Sequence, residues 1–265
     1  RGWTPLDFRG QTVMELGCGP MLGFAPIAVF RGAESYVGVE PGTGKHALNE
    51  PRILDSYFKG VYRDLKGIYG GDQTFDQFVE AMQERVTVIS KPLLEVQLEK
   101  KADVLISNSC LEHIVPFEES IQALRGLCAD DCRMINLVDF GSHRAGRSPF
   151  DNMYIGTREA YLEKFGRHVN LKRGPDMLKA FEAAGFDVDL VPYTEMRDSY
   201  DGPASPRPAL LPRRRQAGDL DSRTGRRGST RRLQSSRRRQ ALGRSPPTRP
   251  RSEVGVVTDV CVRVC

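Results

Sequence analysis

The sequence has no uninterrupted apolar run near the roughly 20 residues that a membrane-spanning helix needs. This absence excludes a protein with transmembrane helices. The chain also lacks any CxxC pair among its six cysteines, which are Cys18, Cys110, Cys128, Cys132, Cys261 and Cys265. Zinc sites are commonly built from such pairs, so we predict no metal site. Scattered reduced thiols are typical of a cytoplasmic protein, and we expect that location.

Lysine and aromatic residues are absent from residues 201–265, although this segment carries 16 arginines against five acidic residues. The whole chain has 39 lysines and arginines and 34 aspartates and glutamates, so residues 1–200 contain 23 basic and 29 acidic residues. The chain therefore joins an acidic body to a basic tail. The acidic body gives no electrostatic reason to expect nucleic acid as a partner.

Residues 199–265 consist largely of arginine, proline, serine and glycine, a composition that cannot bury enough apolar surface to fold. We therefore predict a folded domain over 1–198 and a tail over 199–265 that is disordered or out of frame. Two interpretations of the tail remain open. It is either a genuine arm that binds RNA or DNA, or the product of a shifted reading frame in GC-rich codons, which favour arginine over lysine.

Short apolar runs in the body alternate with segments of helical spacing. The predicted strands are 12–16, 35–39, 85–89, 102–106, 133–138 and 186–191. Helices are predicted at 22–30, 116–127 and 175–184, and two more within 45–83, separated at Gly70-Gly71. This order predicts an α/β fold with a doubly wound, mostly parallel, Rossmann-like sheet.

The turn after the first strand, ELGCGP at 15–20, and Glu40 at the end of the second strand carry the strongest chemical signal. Glycines allow a tight turn that a ligand can approach closely, and the next helix offers free N–H groups to an anion. An acid at the tip of the second strand can accept hydrogen bonds from both hydroxyls of a ribose. The pattern predicts a cofactor that contains adenosine.

Two classes of cofactor fit this pattern, but nicotinamide enzymes carry GxGxxG, and Leu22 stands where the third glycine would fall. The stretch VMELGCGP instead resembles motif I of class I S-adenosylmethionine (SAM)-dependent methyltransferases. YVGVEP resembles their second motif, and ADVLISNSCLEHI at 102–114 resembles their fourth-strand motif. MINLVDFGSHR at 134–144 and MLKAFEAAGF at 177–186 resemble a bacterial subgroup associated with polysaccharide and glycolipid biosynthesis.

This resemblance covers about residues 10–195 and implies a class I fold, SAM as cofactor and in-line methyl transfer. The expected reaction is O-methylation of a glycan, sugar or other small-molecule acceptor. The resemblance assigns the methionine part of SAM to Glu15 and the backbone of Gly17, Cys18 and Gly19, the ribose to Glu40, the adenine to Ser90, and the sulfonium to Ser107 and Asn108. The alternative for each residue is a turn position at a strand end.

His143 follows the fifth strand, and Asp139 lies four residues before it. A hydroxyl acceptor benefits from a general base, and a carboxylate can orient an imidazole for that task. We therefore predict His143 and Asp139 as the catalytic pair. The alternative is a solvated histidine in a polar loop.

Two other hypotheses remain. The arginine-rich tail favours a protein that binds or modifies nucleic acid, although SNSC stands where amino-methylating DNA enzymes carry Asn/Asp-Pro-Pro-aromatic. The third hypothesis is an inactive, truncated or frameshifted homologue. Class I sheets end with a seventh, antiparallel strand, and within the sequence only 254–264 alternates suitably, about 60 residues late. We therefore expect this strand to be missing or displaced.

Overall fold

The computed structural model describes residues 7–42, 45–141, 143, 157–166, 168–195 and 257–264. The chain divides into two units, and every described element belongs to the first, Arg1–Pro203 with Gly255–Cys265. Seven strands form one sheet: β1 (Thr12–Leu16), β2 (Ser35–Val39), β3 (Val86–Ile89), β4 (Ala102–Asn108), β5 (Cys128–Asp139), β6 (Val188–Glu195) and β7 (Val257–Val264).

Within the part of the chain that the structure describes, seven α-helical segments accompany the strands. They are α1 (Ala25–Phe30), α2 (Pro51–Ile53), α3 (Lys59–Tyr69), α4 (Phe75–Arg85), α5 (Phe117–Leu127), α6 (Arg158–Phe165) and α7 (Gly174–Ala183). A π-helical segment, Leu54–Phe58, joins α2 to α3. The break predicted at Gly70-Gly71 is confirmed, since both glycines have positive φ and α4 begins afresh with a capping box at Thr74. Within the described residues, no helix is long and apolar enough to cross a bilayer.

The first five strands run parallel in the order β3-β2-β1-β4-β5, which confirms the predicted α/β fold. The order reverses beside β1, and the carboxyl ends of β1, β2 and β4 therefore meet at one edge. In open parallel sheets, ligands bind in the crevice at such a point.

The seventh strand is present, and it is displaced along the sequence. β7 lies between β5 and β6 and runs antiparallel to both. It comes from 257–264, inside the segment predicted to be a tail, whereas 196–256 lie outside the described residues. The domain boundary at 198 stays a prediction.

Strand β5 begins earlier than the predicted 133–138. It starts at Cys128, and its pairing with β4 shifts register between Ala102 and Val104. Two adjacent acids, Asp130 and Asp131, obscure the apolar pattern there, whereas Cys128 and Cys132 are buried.

Side chains pack against both faces of the sheet. One apolar cluster includes Phe117 of α5 and Phe181 of α7. The other includes Phe58 of the π-helical segment and Phe78 of α4. These aromatic side chains are almost fully buried. Because both faces are covered, the carboxyl-terminal edge of the strands is the place where the sheet can receive a ligand.

Candidate active site

The turn after β1 depends on two glycines. Gly17 has φ +73° and Gly19 has φ +60°, values that side-chain-bearing residues rarely adopt. A Cβ on Gly17 would lie 2.9 Å from the Cβ and Sγ of Cys110. The Gly17 N–H donates to the carbonyl of Val39 at 2.9 Å, which fixes the turn against β2. The chain therefore holds bare backbone at the centre of the sheet edge.

Glu15 supports this turn from beneath. Its carboxylate is only 2% exposed and accepts hydrogen bonds from the Phe24 N–H, at 2.7 Å, and from the Tyr36 hydroxyl. A Cβ on Gly23 would lie 2.2 Å from a carboxylate oxygen, so the chain passes directly over Glu15. Burial raises the pKa of Glu15 to about 7, against the opposing effect of the two hydrogen bonds. Its contact with the methionine part of SAM stays a prediction.

The Cys18 side chain packs against β2 and is buried. A Cβ on Gly38 would lie 2.5 Å from its Sγ. Burial, reinforced by the charges of Glu15 and Glu40, raises the pKa of the Cys18 thiol to about 12. The thiol therefore stays protonated and unreactive, and what Cys18 can offer a ligand is its backbone.

Glu40 links the tip of β2 to the glycine turn. Its Oε2 accepts a hydrogen bond from the Gly19 N–H at 3.2 Å. The side chain is only partly buried, so the carboxylate can also accept hydrogen bonds from a ligand. This is the position at which the sequence predicts a ribose contact.

A cavity of about 440 Å³ opens at the carboxyl ends of β1, β2 and β4. Its volume is typical of sites for small molecules and cofactors. The lining is mostly apolar with a few polar groups: Leu16, Gly17, Val39, Glu40, Pro41, Pro92, Leu93, Leu94, Ser109, Cys110, His113, Ile114, Val115 and Ser120. An apolar wall, an acid and exposed glycine backbone fit the adenosine and amino-acid parts of SAM.

Three predicted contacts lie beside the cavity lining. Ser90 is exposed just after β3, and the lining begins two residues later, at Pro92. Ser107 is buried, and its hydroxyl donates to Oδ1 of Asn136 at 2.8 Å. Asn108 is exposed at the end of β4, and the lining resumes at Ser109. Their contacts with SAM stay predictions.

Residues 92–94, which form one wall of the cavity, and His113, which also lines it, were not among the predicted site residues. Residues 92–94 follow β3 after two intervening residues, and Leu94 remains 49% exposed beside the cavity. The apolar pair Leu93-Leu94 soon after a strand end is the sequence signal that could have indicated this wall.

The structure brings the predicted catalytic pair together. Nε2 of His143 lies 3.2 Å from Oδ2 of Asp139 and 3.9 Å from Oε1 of Glu112. The other oxygen of Asp139, Oδ1, accepts a hydrogen bond from the Gly141 N–H at 2.6 Å, which holds the carboxylate in place. The His143 ring lies 4.8 Å, centre to centre, from the ring of His113. An imidazole oriented by a carboxylate therefore stands next to the cavity wall.

The short 3₁₀ segment Leu111–His113 positions the neighbours of this pair. It follows β4 and presents Glu112, which is 3% exposed, and His113, whose Nδ1 contacts the carbonyl of His168. Because β4 and β5 are adjacent and parallel, residues that follow their ends meet at one edge.

Comparison with known proteins agrees with this architecture. The profile of the family described as "Methyltransferase domain" matches residues 3–191. The chain belongs to this family. It is a SAM-dependent methyltransferase, and the sequence prediction of enzyme class and cofactor is confirmed. No curated protein shows significant similarity to the chain.

Solved structures of low identity share parts of the fold. A SAM-dependent methyltransferase from Mesorhizobium loti is 14% identical over 71% of this chain and 80% of its own, with a TM-score of 0.46. A Haemonchus contortus phosphoethanolamine N-methyltransferase, in complex with phosphomonomethylethanolamine and S-adenosylhomocysteine, is 16% identical over 73% and 36%, with a TM-score of 0.43. An O-methyltransferase family protein from Burkholderia thailandensis is 17% identical over 69% and 47%, with a TM-score of 0.41.

Proposed function

We propose that this methyltransferase transfers the methyl group of SAM to a hydroxyl oxygen of a glycan, sugar or other small polar acceptor. The observation that supports oxygen as the target is the 3.2 Å approach of His143 Nε2 to Asp139 Oδ2. The resemblance of 134–144 and 177–186 to enzymes of bacterial polysaccharide and glycolipid biosynthesis supports a sugar-containing acceptor.

The cofactor would be held by the residues that border the cavity. The backbone at Gly17 and Gly19 would face its methionine part, and Glu40 would accept hydrogen bonds from the ribose hydroxyls. Val39 and Leu93 would pack against the adenine. When bound, SAM would supply a methyl group on a positively charged sulfur. The methyl carbon is open to attack by a nucleophile because the sulfur can leave as the neutral thioether of S-adenosylhomocysteine.

The chain's own contribution is to orient the acceptor and to take its proton. With Nε2–H of His143 donating to Asp139, the lone pair lies on Nδ1, which accepts the proton of the acceptor hydroxyl. The Asp139 carboxylate fixes the ring and stabilises the imidazolium that forms. Alignment of acceptor oxygen, methyl carbon and sulfur supplies the rest of the acceleration, since the sulfonium is already activated.

The test is the product of the reaction. The full chain is incubated with SAM carrying a ¹³C-labelled methyl group and with a panel of nucleotide sugars and polysaccharides, and NMR identifies the atom that receives the label. We expect an O-methyl product and a matching release of S-adenosylhomocysteine. A label found only on nitrogen or sulfur contradicts the proposal.

A pair of histidine variants tests the catalytic assignment. General-base catalysis contributes roughly 10²–10⁴-fold, so His143→Ala is expected to lower kcat by about that factor. His46→Ala removes an exposed histidine on the 3₁₀ segment Lys45–Asn49 and should leave kcat unchanged. Equal kcat in His143→Ala and the parent protein would exclude the imidazole as the base.

A further inference from the structure

We propose that Glu112, His113 and His143, together with Asp139, form a binding site for a divalent transition-metal ion of the zinc class. Among the described residues, Glu112, His113 and His143 each offer a ligand atom within 4.8 Å of the others. The cluster lies at the carboxyl ends of β4 and β5, beside the cavity to which His113 contributes. The sequence analysis predicted no metal site because the cysteines lack zinc-type spacing. Cysteine spacing carries no information about histidine and carboxylate ligands from two separate loops.

The distances match those between the ligands of one ion. Zinc bonds of about 2.0–2.1 Å in a tetrahedral site place neighbouring ligand atoms roughly 3.4 Å apart. His143 Nε2 lies 3.2 Å from Asp139 Oδ2 and 3.9 Å from Glu112 Oε1. The ligand atoms of Glu112, His113 and His143 lie within 4.8 Å of one another, so these side chains would move inward to bind one ion, and Asp139 Oδ2 stands beside the His143 ligand atom.

The hydrogen-bond partners of the proposed ligands are those that usually orient metal ligands in proteins. Metal-binding histidines usually donate their second ring N–H to a carbonyl or carboxylate, which fixes the tautomer. Nδ1 of His113 contacts the carbonyl of His168, which leaves Nε2 to carry the lone pair. The carboxylate of Asp139 is similarly fixed, because its Oδ1 accepts the Gly141 N–H while Oδ2 faces His143.

Charge and burial favour a cation at the same place. The side chain of Glu112 is 4% exposed, and the negative charge of a buried carboxylate is costly unless a positive charge lies near it. The side chain of His143 is 21% exposed, which gives an ion a path from solvent. Two imidazoles with carboxylates suit zinc and its transition-metal neighbours, whereas magnesium prefers a shell of oxygen ligands.

An ion at this cluster would lower the pKa of an acceptor hydroxyl that ligates it. With the ion bound to Nε2, the ring proton of His143 would reside on Nδ1, so Nδ1 could no longer accept a proton and the activating role would pass from the free imidazole to the metal. This use of the ion rests on the proposed function, whereas binding of the ion does not.

The experiment is a calorimetric titration of the full, metal-depleted chain with ZnCl₂ and, separately, with MgCl₂, without SAM or acceptor. We expect about one zinc ion per chain and no matching magnesium binding. His113→Ala and Glu112→Gln should each weaken zinc binding at least about tenfold, in line with the loss of one ligand. Thermal melting of each variant in the absence of metal verifies that it folds.

Two control variants separate this cluster from other zinc ligands. His46→Ala removes a histidine outside the cluster, and the double variant Cys128→Ser, Cys132→Ser removes the buried thiol pair; both should bind zinc as the parent protein does. Absence of zinc binding, unchanged binding in folded His113→Ala and Glu112→Gln, or loss of binding in the cysteine variant overturns the proposal. Zinc binding without any O-methyl product would refute the proposed function alone.

Discussion

The hydroxyl of Tyr36 on β2 donates a hydrogen bond to the buried carboxylate of Glu15 on β1. The same carboxylate accepts the Phe24 N–H, so one side chain joins two strands and the start of α1. Burial also raises its pKa to about 7, so the carboxylate that supports the glycine turn changes protonation state near neutral pH.

Replacing Glu15 with Gln is expected to remove a pH dependence of stability. The pKa is about 7 in the folded chain against the ordinary glutamate value of 4.5, so between these pH values the folded state holds a proton that the unfolded state has lost. The stabilisation is complete below pH 4.5 and is lost as pH rises through 7. The pKa difference of about 2.5 between the folded and unfolded states corresponds to a free energy of about 3 kcal/mol.

Urea unfolding at a series of pH values measures this effect. The parent protein should lose up to about 3 kcal/mol more than Glu15→Gln between pH 4.5 and pH 8. Glu80→Gln alters an exposed carboxylate of α4 and should behave as the parent protein does. Parallel pH curves for the parent and Glu15→Gln would contradict the raised pKa.

Gly17→Ala is expected to weaken SAM binding at least about tenfold, because the new Cβ meets Cys110 and a positive φ disfavours alanine. Gly10→Ala is the matched control. Gly10 has φ +67°, but no atom lies within 4 Å of its Cβ position, and it precedes β1 outside the cavity lining. Gly10→Ala should lose about 1–2 kcal/mol of stability and Gly17→Ala more than that, because of the added contact with Cys110. Calorimetry with SAM should detect an affinity loss only for Gly17→Ala.

Glu40→Ala is expected to weaken SAM binding by roughly tenfold to a hundredfold, since a hydrogen bond to a charged group contributes about 1.5–3 kcal/mol. The variant removes the proposed ribose acceptor and the contact to the Gly19 N–H. Glu34→Ala removes an exposed acid whose partner is Lys100 and should leave the affinity unchanged. Equal affinities in a calorimetric titration would exclude Glu40 as the ribose contact.

Truncation after residue 256 tests the strand that completes the sheet. Removing β7 deprives β5 and β6 of their shared antiparallel partner and exposes a row of unpaired backbone groups on β5. We expect a broader thermal transition at lower temperature and a tendency to aggregate. Sharp, unchanged melting of the truncated chain would show that the strand does not contribute to stability.

The sequence predicted β1 and β2 at their observed bounds because each is a buried run that ends at a turn or an acid. Strand β5 was predicted too short because two acids, Asp130 and Asp131, interrupt the apolar pattern near its start. Helix α6 was missed because it has little separation of polar and apolar faces. Periodicity reports which face of an element is buried, so it indicates little about an element with mixed faces.

The site was predictable to the extent that it lies on the first two strands. The motif at 15–20 and Glu40 predicted the correct sheet edge, and the cavity lies there. Glu112 and His113 were not among the predicted site residues, because their approach to His143 depends on the register between β4 and β5 and on a loop conformation with φ +53° at His143. Neither feature has a local signature in the sequence.

The pairing of β5 with β7 joins Met134 to Val264. Contacts between residues so far apart close late in folding, since chain entropy opposes them until much of the structure has formed. During synthesis, β5 emerges from the ribosome long before β7 does. Until β7 pairs with it, the edge of β5 that faces away from β4 stays open. We therefore expect chaperone dependence and aggregation of the nascent chain to be decided in this interval rather than at the cofactor cavity.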